Sequence, residues 1–369
     1  MEFRKHLAAN SDKTVFFNVD DQGGRSQSVT YGDLLRQADR LAANLVQGSI
    51  LAVIVERPEA DFYLVSCAAL FAGVPITVFQ ASPALQGELQ HAAQCLGFDQ
   101  LLDLRTSQNL WADQATLKLQ ASDGTKSSLP VHDAVPAEPV FEYMWSSGST
   151  GGRKCMPITW SRWAKETAVP PPRGCTLPLR TYSFNSPAWY MSQFSVWRTM
   201  WCAGEVSFGN PSFTVLQNYE VIQPSTVFLP PALWEVVFSR PDISHEAVRD
   251  SFGPNVCSVS CGAAPVRPDL WKAIKAAFGD KCQTYDGYGL TETGQLMKNG
   301  KPHPFVKWYL DSARGELVVS TPYLISGYVN NPEANQRSFV TDADGVRSVP
   351  LAVEIELLMS VRASVRGLK

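Results

Sequence analysis

The chain has 369 residues, a formal net charge of −3, 45% hydrophobic residues and 18% charged residues. That balance excludes a disordered or supercharged chain, and at roughly 150 residues per domain the length suits two or three packed units. No basic excess exists to neutralise phosphates, so nucleic acid and anionic membrane surfaces are not expected as partners. The most apolar stretch, Leu64 to Phe79, is interrupted by Ser66, Gly73, Pro75 and Thr77 and falls short of the ~20 residues that span a bilayer, so no membrane span is expected. Met1-Glu2-Phe3-Arg4-Lys5-His6 is too polar for a secretory signal, which sets the expectation of a cytoplasmic protein in a reducing compartment. The eight cysteines form no CxxC pair. Cys257 and Cys261 lie on an apolar run and are expected as core thiols, and the five histidines show no HxxxH or HExxH spacing, so no protein-built zinc site is expected.

After a polar N-terminal stretch, Thr30-Tyr31-Gly32-Asp33 leads into Leu34, Leu35, Ala38, Leu41, Ala42 and Leu45, whose spacing predicts an amphipathic helix. Leu51–Val55 reads as a buried strand, Pro58 as a helix start, Gly73 as a C-cap and Val74–Phe79 as the next strand, which together make a βαβ unit. Ser122 to Pro139 is a connector, Val140–Met144 a strand, and Pro170-Pro171-Pro172 a second loop. The same grammar returns in Thr226–Leu229, a strand near Val256–Val259, a helix from Pro268 to Phe278 closed by Gly279, and a strand at Cys282–Tyr285. Short strands at Phe305–Leu310 and Glu316–Ser320, joined by Asp311 to Gly315, predict a hairpin. The expected fold is therefore α/β: two Rossmann-like α/β subdomains with parallel-rich sheets, at 1–139 and 140–300, the second carrying the nucleotide loops. A small β-rich subdomain at 301–349 and an atypical tail at 350–369 follow.

Two segments carry residues suited to chemistry. Trp145-Ser146-Ser147-Gly148-Ser149-Thr150-Gly151-Gly152-Arg153-Lys154 follows a strand, and its glycines, hydroxyls and terminal Lys suit a phosphate. It lacks the Gly-Lys-Ser/Thr ending of a Walker A loop, and Thr150 stands where a hydrolase elbow needs Ser. A solvated loop is the alternative reading. Tyr285-Asp286-Gly287-Tyr288-Gly289-Leu290-Thr291-Glu292-Thr293-Gly294 begins like a dinucleotide fingerprint, but Glu292 replaces the third glycine. A lone carboxylate beside Thr291 suits Mg²⁺ and a phosphate oxygen, and Tyr288 offers a face to a base. An N-capping Thr-Glu pair after a glycine turn is the alternative.

Together these segments resemble the adenylate-forming superfamily of acyl-CoA synthetases, aryl-acid ligases, peptide-synthetase adenylation domains and luciferases. Ser146–Lys154 is similar to its Thr-Ser-Gly-Ser-Thr-Gly-x-Pro-Lys loop, with Arg153 in place of Pro, and Tyr288–Glu292 to its Tyr-Gly-x-Thr-Glu motif. Gly262-Ala263-Ala264-Pro265 resembles the adenine-side segment. Thr30–Leu34 resembles an early Thr-Tyr-x-Glu-Leu motif, and Gly327-Tyr328 through Phe339 to Asp344-Gly345 a late one. The resemblance implies a distorted barrel for the β-rich part and an AMP-forming acid-thiol ligase. A carboxylate attacks the α-phosphate of Mg·ATP to give acyl-AMP, and CoA or a carrier phosphopantetheine takes the acyl group. By motif position Ser146, Ser147, Gly148, Ser149, Thr150, Gly151 and Lys154 embrace the phosphates; Gly262, Ala263, Ala264, Tyr288 and Gly289 frame the adenine; Thr291 contacts the α-phosphate and Glu292 holds Mg²⁺. Lys154, Thr291 and Glu292 are the catalytic set.

The family's Trp-Thr-Gly-Asp after Asp-Gly is replaced by Val346-Arg347-Ser348-Val349-Pro350, which removes the ribose carboxylate, and after Leu351 only a faint echo of a hinge segment, Arg362–Lys369, stands where the family carries a C-terminal cap with its catalytic Lys. The expectation is a large N-terminal domain whose cap is absent or supplied by a separate chain, with a carrier protein as a further partner. The alternative is a catalytically silent nucleotide- or acyl-binding homologue. Asn185, in Phe184-Asn185-Ser186-Pro187, stands where amino-acid-activating relatives place an Asp, so a non-amino carboxylic acid is expected. Asn185 and Trp189 are the candidate substrate contacts. Tyr190, Phe194 and Trp197 read either as further pocket lining or as core. Asn185→Asp should create activation of an amino acid, measured by ATP–pyrophosphate exchange; unchanged acid preference counts against that alignment.

Overall fold

Leu51–Val55 is buried at every position, as a strand covered on both faces must be, and it centres the first of three sheets. The structure, a computed structural model, describes residues 2–19, 25–57, 59–106, 109–121, 136, 138–146, 153–175, 178–209, 219–220, 222–239, 244–279, 282–311, 316–342 and 345–351. The first sheet has the order Gln120–Ala121, Gln100–Asp103, Leu51–Val55, Ile76–Gln80, Val140–Trp145, Cys155–Thr159. Its four central strands run parallel and its two edge strands antiparallel. The connector from Ser122 falls almost wholly outside the described residues.

The second sheet has nine strands. Its parallel centre is Gln283–Leu290, Ser258–Gly262, Thr226–Leu229, Arg180–Ser183, Glu205–Phe208 and Thr14–Val19, again flanked by antiparallel edges. Sheet membership does not follow chain order, because Thr14–Val19 and Arg25–Thr30 from the N-terminal stretch form an edge hairpin on this second sheet. Lys307–Asp311 and Glu316–Ser320 pair antiparallel, with Asp311 opposite Glu316, in a small third sheet. The architecture is thus mixed α/β, with two parallel-rich sheets and a small antiparallel one.

Helix Ala60–Ala72 is buried continuously from Phe62 to Leu70, which requires cover on all sides. The Tyr63 ring lies 5.5 Å from Phe208 and 6.2 Å from Phe16, both on the second sheet. The same core cluster takes in Leu51, Val53 and Val55 of the first sheet. The helix is therefore the layer between the two sheets. Gly73 ends it at φ 69°, a conformation that favours glycine. Helix Tyr31–Ala42 starts at a capping box in which Thr30 and Asp33 each bond the other's backbone N–H.

Two features depart from expectation. Cys257, read as a core thiol, pairs with Cys175 across 82 residues at a Cα–Cα separation of 5.1 Å, within the span a disulfide bridges. Tyr285–Leu290 is not a loop but the end of strand Gln283–Leu290, which turns at Thr291-Glu292-Thr293 into the antiparallel strand Gly294–Lys298. No helix follows, so Thr291 and Glu292 cap nothing.

Glu142 ties the two halves. It sits fully buried on strand Val140–Trp145 and accepts a hydrogen bond from Gln193 Nε2 at 2.7 Å, on the helix that packs against the second sheet. Burial, opposed by that bond, pushes its carboxyl up from 4.5 to about 8, so it is mostly protonated at neutral pH. The folded state therefore keeps a proton that the unfolded chain releases between pH 4.5 and about 8, and stability falls as pH rises through that window. Urea midpoints measured across the window should show that fall in the wild type and a loss less than half as large in Glu142→Gln.

Candidate active site

The serine- and glycine-rich segment connects two antiparallel strands, with Trp145 opposite Cys155. Its neck is closed by Ser146 N–H donating to the Lys154 carbonyl at 3.0 Å and Lys154 N–H donating to Ser146 Oγ at 2.9 Å. Ser147, Gly148, Ser149, Thr150 and Gly151 lie outside the described residues. The chain returns from this segment as strand Cys155–Thr159 rather than as a helix. The charge of Arg153 is taken by Glu88 at 2.7 Å, and His91 Nε2 lies 3.0 Å from the Arg153 carbonyl. Arg153 is thus an anchor to helix Leu85–Leu96, and Lys154 is left to face the site.

Lys154 Nζ stands 4.8 Å from the centre of the Tyr328 ring, and Tyr328 Oη donates to Glu292 Oε1 at 2.9 Å. Three segments remote in sequence thereby bring an ammonium, a phenol and a carboxylate to one place. Burial, and then the Glu292 carboxylate, hold the Tyr328 hydroxyl well above the usual phenol range, so it stays a donor. Asn335 fixes Tyr328 from behind, accepting from its N–H at 2.7 Å and donating to its carbonyl at 2.8 Å. Among the described residues no three His, Cys, Asp or Glu gather. Glu292 therefore offers one carboxylate, a donor set that suits Mg²⁺ shared with phosphate oxygens rather than an all-protein cage.

The Thr291–Thr293 turn is held by Arg162 and Glu166, which the sequence did not single out, and by Ile325. Arg162, only 7% exposed, donates to the Thr291 carbonyl at 2.7 Å and pairs with Glu166 at 3.3 Å, and Tyr190 donates to the same Glu166. Gly294 takes φ 67°, and a Cβ there would strike Glu166 Oε1. Ile325 N–H donates to the Glu292 carbonyl at 2.9 Å.

Gly262 and Gly287 face each other on adjacent parallel strands, and a Cβ on Gly262 would stand 2.6 Å from the Gly287 oxygen. Ala263 leaves that strand at φ 69°, a left-handed conformation that L side chains seldom adopt. Tyr288 is half-buried on the next strand, with Gly289 beside it pressed against the Gly294 carbonyl. Gly262-Ala263 and Tyr288 therefore lie at the same end of the sheet, where ligands of open α/β sheets bind.

Beneath that end, a cavity of about 70 Å³ runs between helix Tyr190–Trp201 and the inner face of the second sheet. Asn185 and Phe194 line it. Trp189 is 61% exposed at the helix start, while Trp197 is buried in the core. The sheet side includes Thr181, Ser183, Thr226, Phe228, Ser258 and Ser260, whereas Leu229, Val259 and Cys261 pack into the core on the opposite face. Strands in a parallel sheet covered on both faces are usually apolar throughout. The alternation in Thr226-Val227-Phe228-Leu229 and Ser258-Val259-Ser260-Cys261 was the sequence signal for this cavity.

The sequence profile of the AMP-binding enzyme family matches residues 3–329. The chain belongs to that family, within the adenylate-forming superfamily. A peroxisomal long chain acyl-CoA synthetase 7 of Arabidopsis thaliana is 26% identical over 141 residues, covering 31% of this chain and 19% of that protein. A carboxylic acid reductase of Segniliparus rugosus is 24% identical over 36% of this chain and 14% of its own length, so the chain spans well under two thirds of these relatives. Triostin synthetase I of Streptomyces triostinicus is 24% identical, with 85% of this chain and 66% of that protein aligned. Among solved structures, the N-terminal subdomain of Klebsiella oxytoca NpsA, in complex with 3-hydroxyanthranilyl-AMSN, superposes with a TM-score of 0.73 at 16% identity. The superposition covers 95% of this chain and 93% of that one. The A-PCP didomain of the Segniliparus carboxylic acid reductase, in complex with AMP, gives 0.72 at 18% identity, over 95% of this chain and 63% of that one. These structures share the fold. No helix among the described residues is long and apolar enough to cross a membrane.

Removing Arg162 leaves the buried Glu166 uncompensated and the Thr291 carbonyl without its donor. Arg162→Met should therefore lower folding stability by about 3 kcal/mol in urea unfolding, and Arg162→Lys should recover part of it.

Proposed function

We propose that the protein activates a carboxylic acid at the expense of ATP, forming an acyl-adenylate that is passed to a thiol. The observation that carries this reading is the meeting of Lys154 and Glu292, from two separate loops, at the Tyr328 side chain. A substrate carboxylate oxygen attacks the α-phosphorus, the bond to the bridging oxygen breaks, and pyrophosphate leaves. Lys154 and the loop amides from Ser146 to Gly151 neutralise the charge that builds on the leaving pyrophosphate. The Thr291 hydroxyl donates to the α-phosphate. Glu292 would hold Mg²⁺ against the phosphates, where the ion supplies charge neutralisation. Gly262, Ala263 and Ala264 on one strand end, with Tyr288 and Gly289 on the next, form a flat slot for the adenine, kept open by the lack of side chains at the glycines.

In this reading 140–300 carries the nucleotide loops, 301–349 contributes Tyr328, and Asn185 marks the acid's place beside the nucleotide. The neutral Asn185 suits a non-amino acid. The acceptor is the thiol of CoA or of a carrier's phosphopantetheine: its sulfur attacks the acyl carbonyl carbon, AMP departs, and the thiol proton passes to solvent.

ATP–pyrophosphate exchange with panels of aryl, fatty and amino acids tests the first step. One class should support exchange, and Lys154→Ala and Glu292→Gln should each lower kcat/KM by about a hundredfold. Unchanged Mg·ATP binding after both residues become Ala would overturn the assignment of the site. Nucleotide binding with no exchange for any acid would replace the enzyme by a binding protein.

A further inference from the structure

The cavity under helix Tyr190–Trp201 is small, and hydroxyls dominate its walls. At roughly 10–15 Å³ for each water-sized occupant, its volume of about 70 Å³ holds about five to seven non-hydrogen atoms. A fatty chain, or a benzene ring with its carboxylate, exceeds that. Two contacts settle which side chains of the sheet face it. The Thr181 hydroxyl meets the Thr199 hydroxyl of the covering helix at 2.7 Å, and the Thr226 hydroxyl lies 3.3 Å from Thr181. Strand residues alternate in direction, so Ser183 faces the helix with Thr181, while Tyr182 turns to the core on the other side. On the helix, Ser192 donates to the Asn185 carbonyl at 2.7 Å, Ser195 to Met191 at 3.0 Å and Thr199 to Ser195 at 2.8 Å. A hydroxyl that has given its proton to a carbonyl keeps lone pairs, which suit a ligand that brings its own O–H.

Ser183 stands apart from these. It lines the cavity, is 5% exposed, and its Oγ has no hydrogen-bond partner among the described residues. A buried hydroxyl left unpaired is costly and usually marks a missing partner. Close by, the fully buried Tyr63 hydroxyl is unpaired as well. Burial, opposed first by the Ser192 hydroxyl, holds that phenol well above its usual range, so it stays a donor. Asn185, two residues after Ser183, lines the same cavity, and the reach of the chain keeps the two Cα atoms within about 7 Å. A group at Ser183 and a carboxylate at Asn185 therefore belong to one short molecule. Among the described residues no carboxylate lines the cavity, so an ammonium there would have no counter-charge.

We infer that the acid activated is a short hydroxy acid, its carboxylate beside Asn185 and a hydroxyl on one of the next few carbons bonded to Ser183. This substrate class rests on the acid-activation reading above and narrows it. A methyl group in place of that hydroxyl would leave Ser183 buried and unpaired, and sites built to bond a substrate hydroxyl reject the analogue that lacks it.

The test compares lactic with propionic acid and 3-hydroxybutyric with butyric acid, alongside alanine, octanoic acid and benzoic acid, in wild type, Ser183→Ala and Ser183→Thr. ATP–pyrophosphate exchange gives kcat/KM, and ligand-observed NMR gives affinity without turnover. In wild type at least one hydroxy acid should exceed its parent acid by at least about tenfold in both measurements, with alanine, octanoic acid and benzoic acid below it. Ser183→Ala should cut that ratio to below about threefold, and Ser183→Thr, which keeps a hydroxyl, should retain part of it. A parent acid, alanine, octanoic acid or benzoic acid used as well as the hydroxy acids by wild type overturns the inference, as does a preference that survives Ser183→Ala. If no acid supports exchange, the activation reading fails, and the affinities alone decide whether the cavity selects a hydroxy acid. Absence of binding for every acid overturns both.

Discussion

The buried guanidinium of Arg162 is the interaction on which the site's geometry depends. It joins helix Trp160–Thr167 to the Thr291 carbonyl and to Glu166, and Glu166 in turn receives the Tyr190 hydroxyl at the head of the helix roofing the cavity. One charge pair therefore sets both the turn that presents Glu292 and the first residue of the cavity's cover. Such a pair gains little net stability, because two ions lose their water, but its geometry is specific and a lost partner is severe. Burial, against the favourable field of Arg162, raises Glu166. The guanidinium and the Tyr190 hydroxyl oppose that rise.

Around that anchor, the site is assembled from strand ends and turns rather than from helix termini. Lys154 ends a hairpin connection, Glu292 sits in a hairpin turn, and Tyr328 lies in the segment between the small sheet and helix Pro332–Ser338. Hairpins return the chain to its starting place, so Lys154 and Glu292 are each fixed by a ladder of backbone bonds beside them. Tyr328 then couples them through its ring and its hydroxyl. This division, with rigid ladders holding charged groups at their tips, suits a reaction whose catalysis is mostly positioning and charge stabilisation.

Much of this was legible from local pattern. Leu51–Val55, Thr226–Leu229, Pro268–Phe278 and Glu316–Ser320 fall where periodicity and breakers put them, because their signals are contained within the element. What escaped depends on pairing across the chain. Arg25–Thr30 reads Arg-Ser-Gln-Ser-Val-Thr, with too little apolar alternation to announce an edge strand, and only Thr14–Val19 beside it makes it one. Cys175 and Cys257 carry no local sign of their bond. Tyr328 was visible as part of a motif, yet its link to Glu292 spans 36 residues. The phosphate loop's own geometry lies outside the described residues, so its legibility rests on composition and on the neck at Ser146 and Lys154.

The Cys175–Cys257 link has a consequence for the pocket as a mechanical object. Strands Arg180–Ser183, Glu205–Phe208 and Thr226–Leu229 and the covering helix all lie between the two cysteines, so most of the cavity wall belongs to one covalent ring. Closing a ring of 82 residues removes about 4–5 kcal/mol of chain entropy from the unfolded state in the loop-closure account. The ring closes next to Ser258, at the end of the cavity where Arg198 stands. The roof and floor of the cavity are consequently tethered at that margin. Breathing motions of the cavity are left to hinge at the opposite margin, beside Asn185.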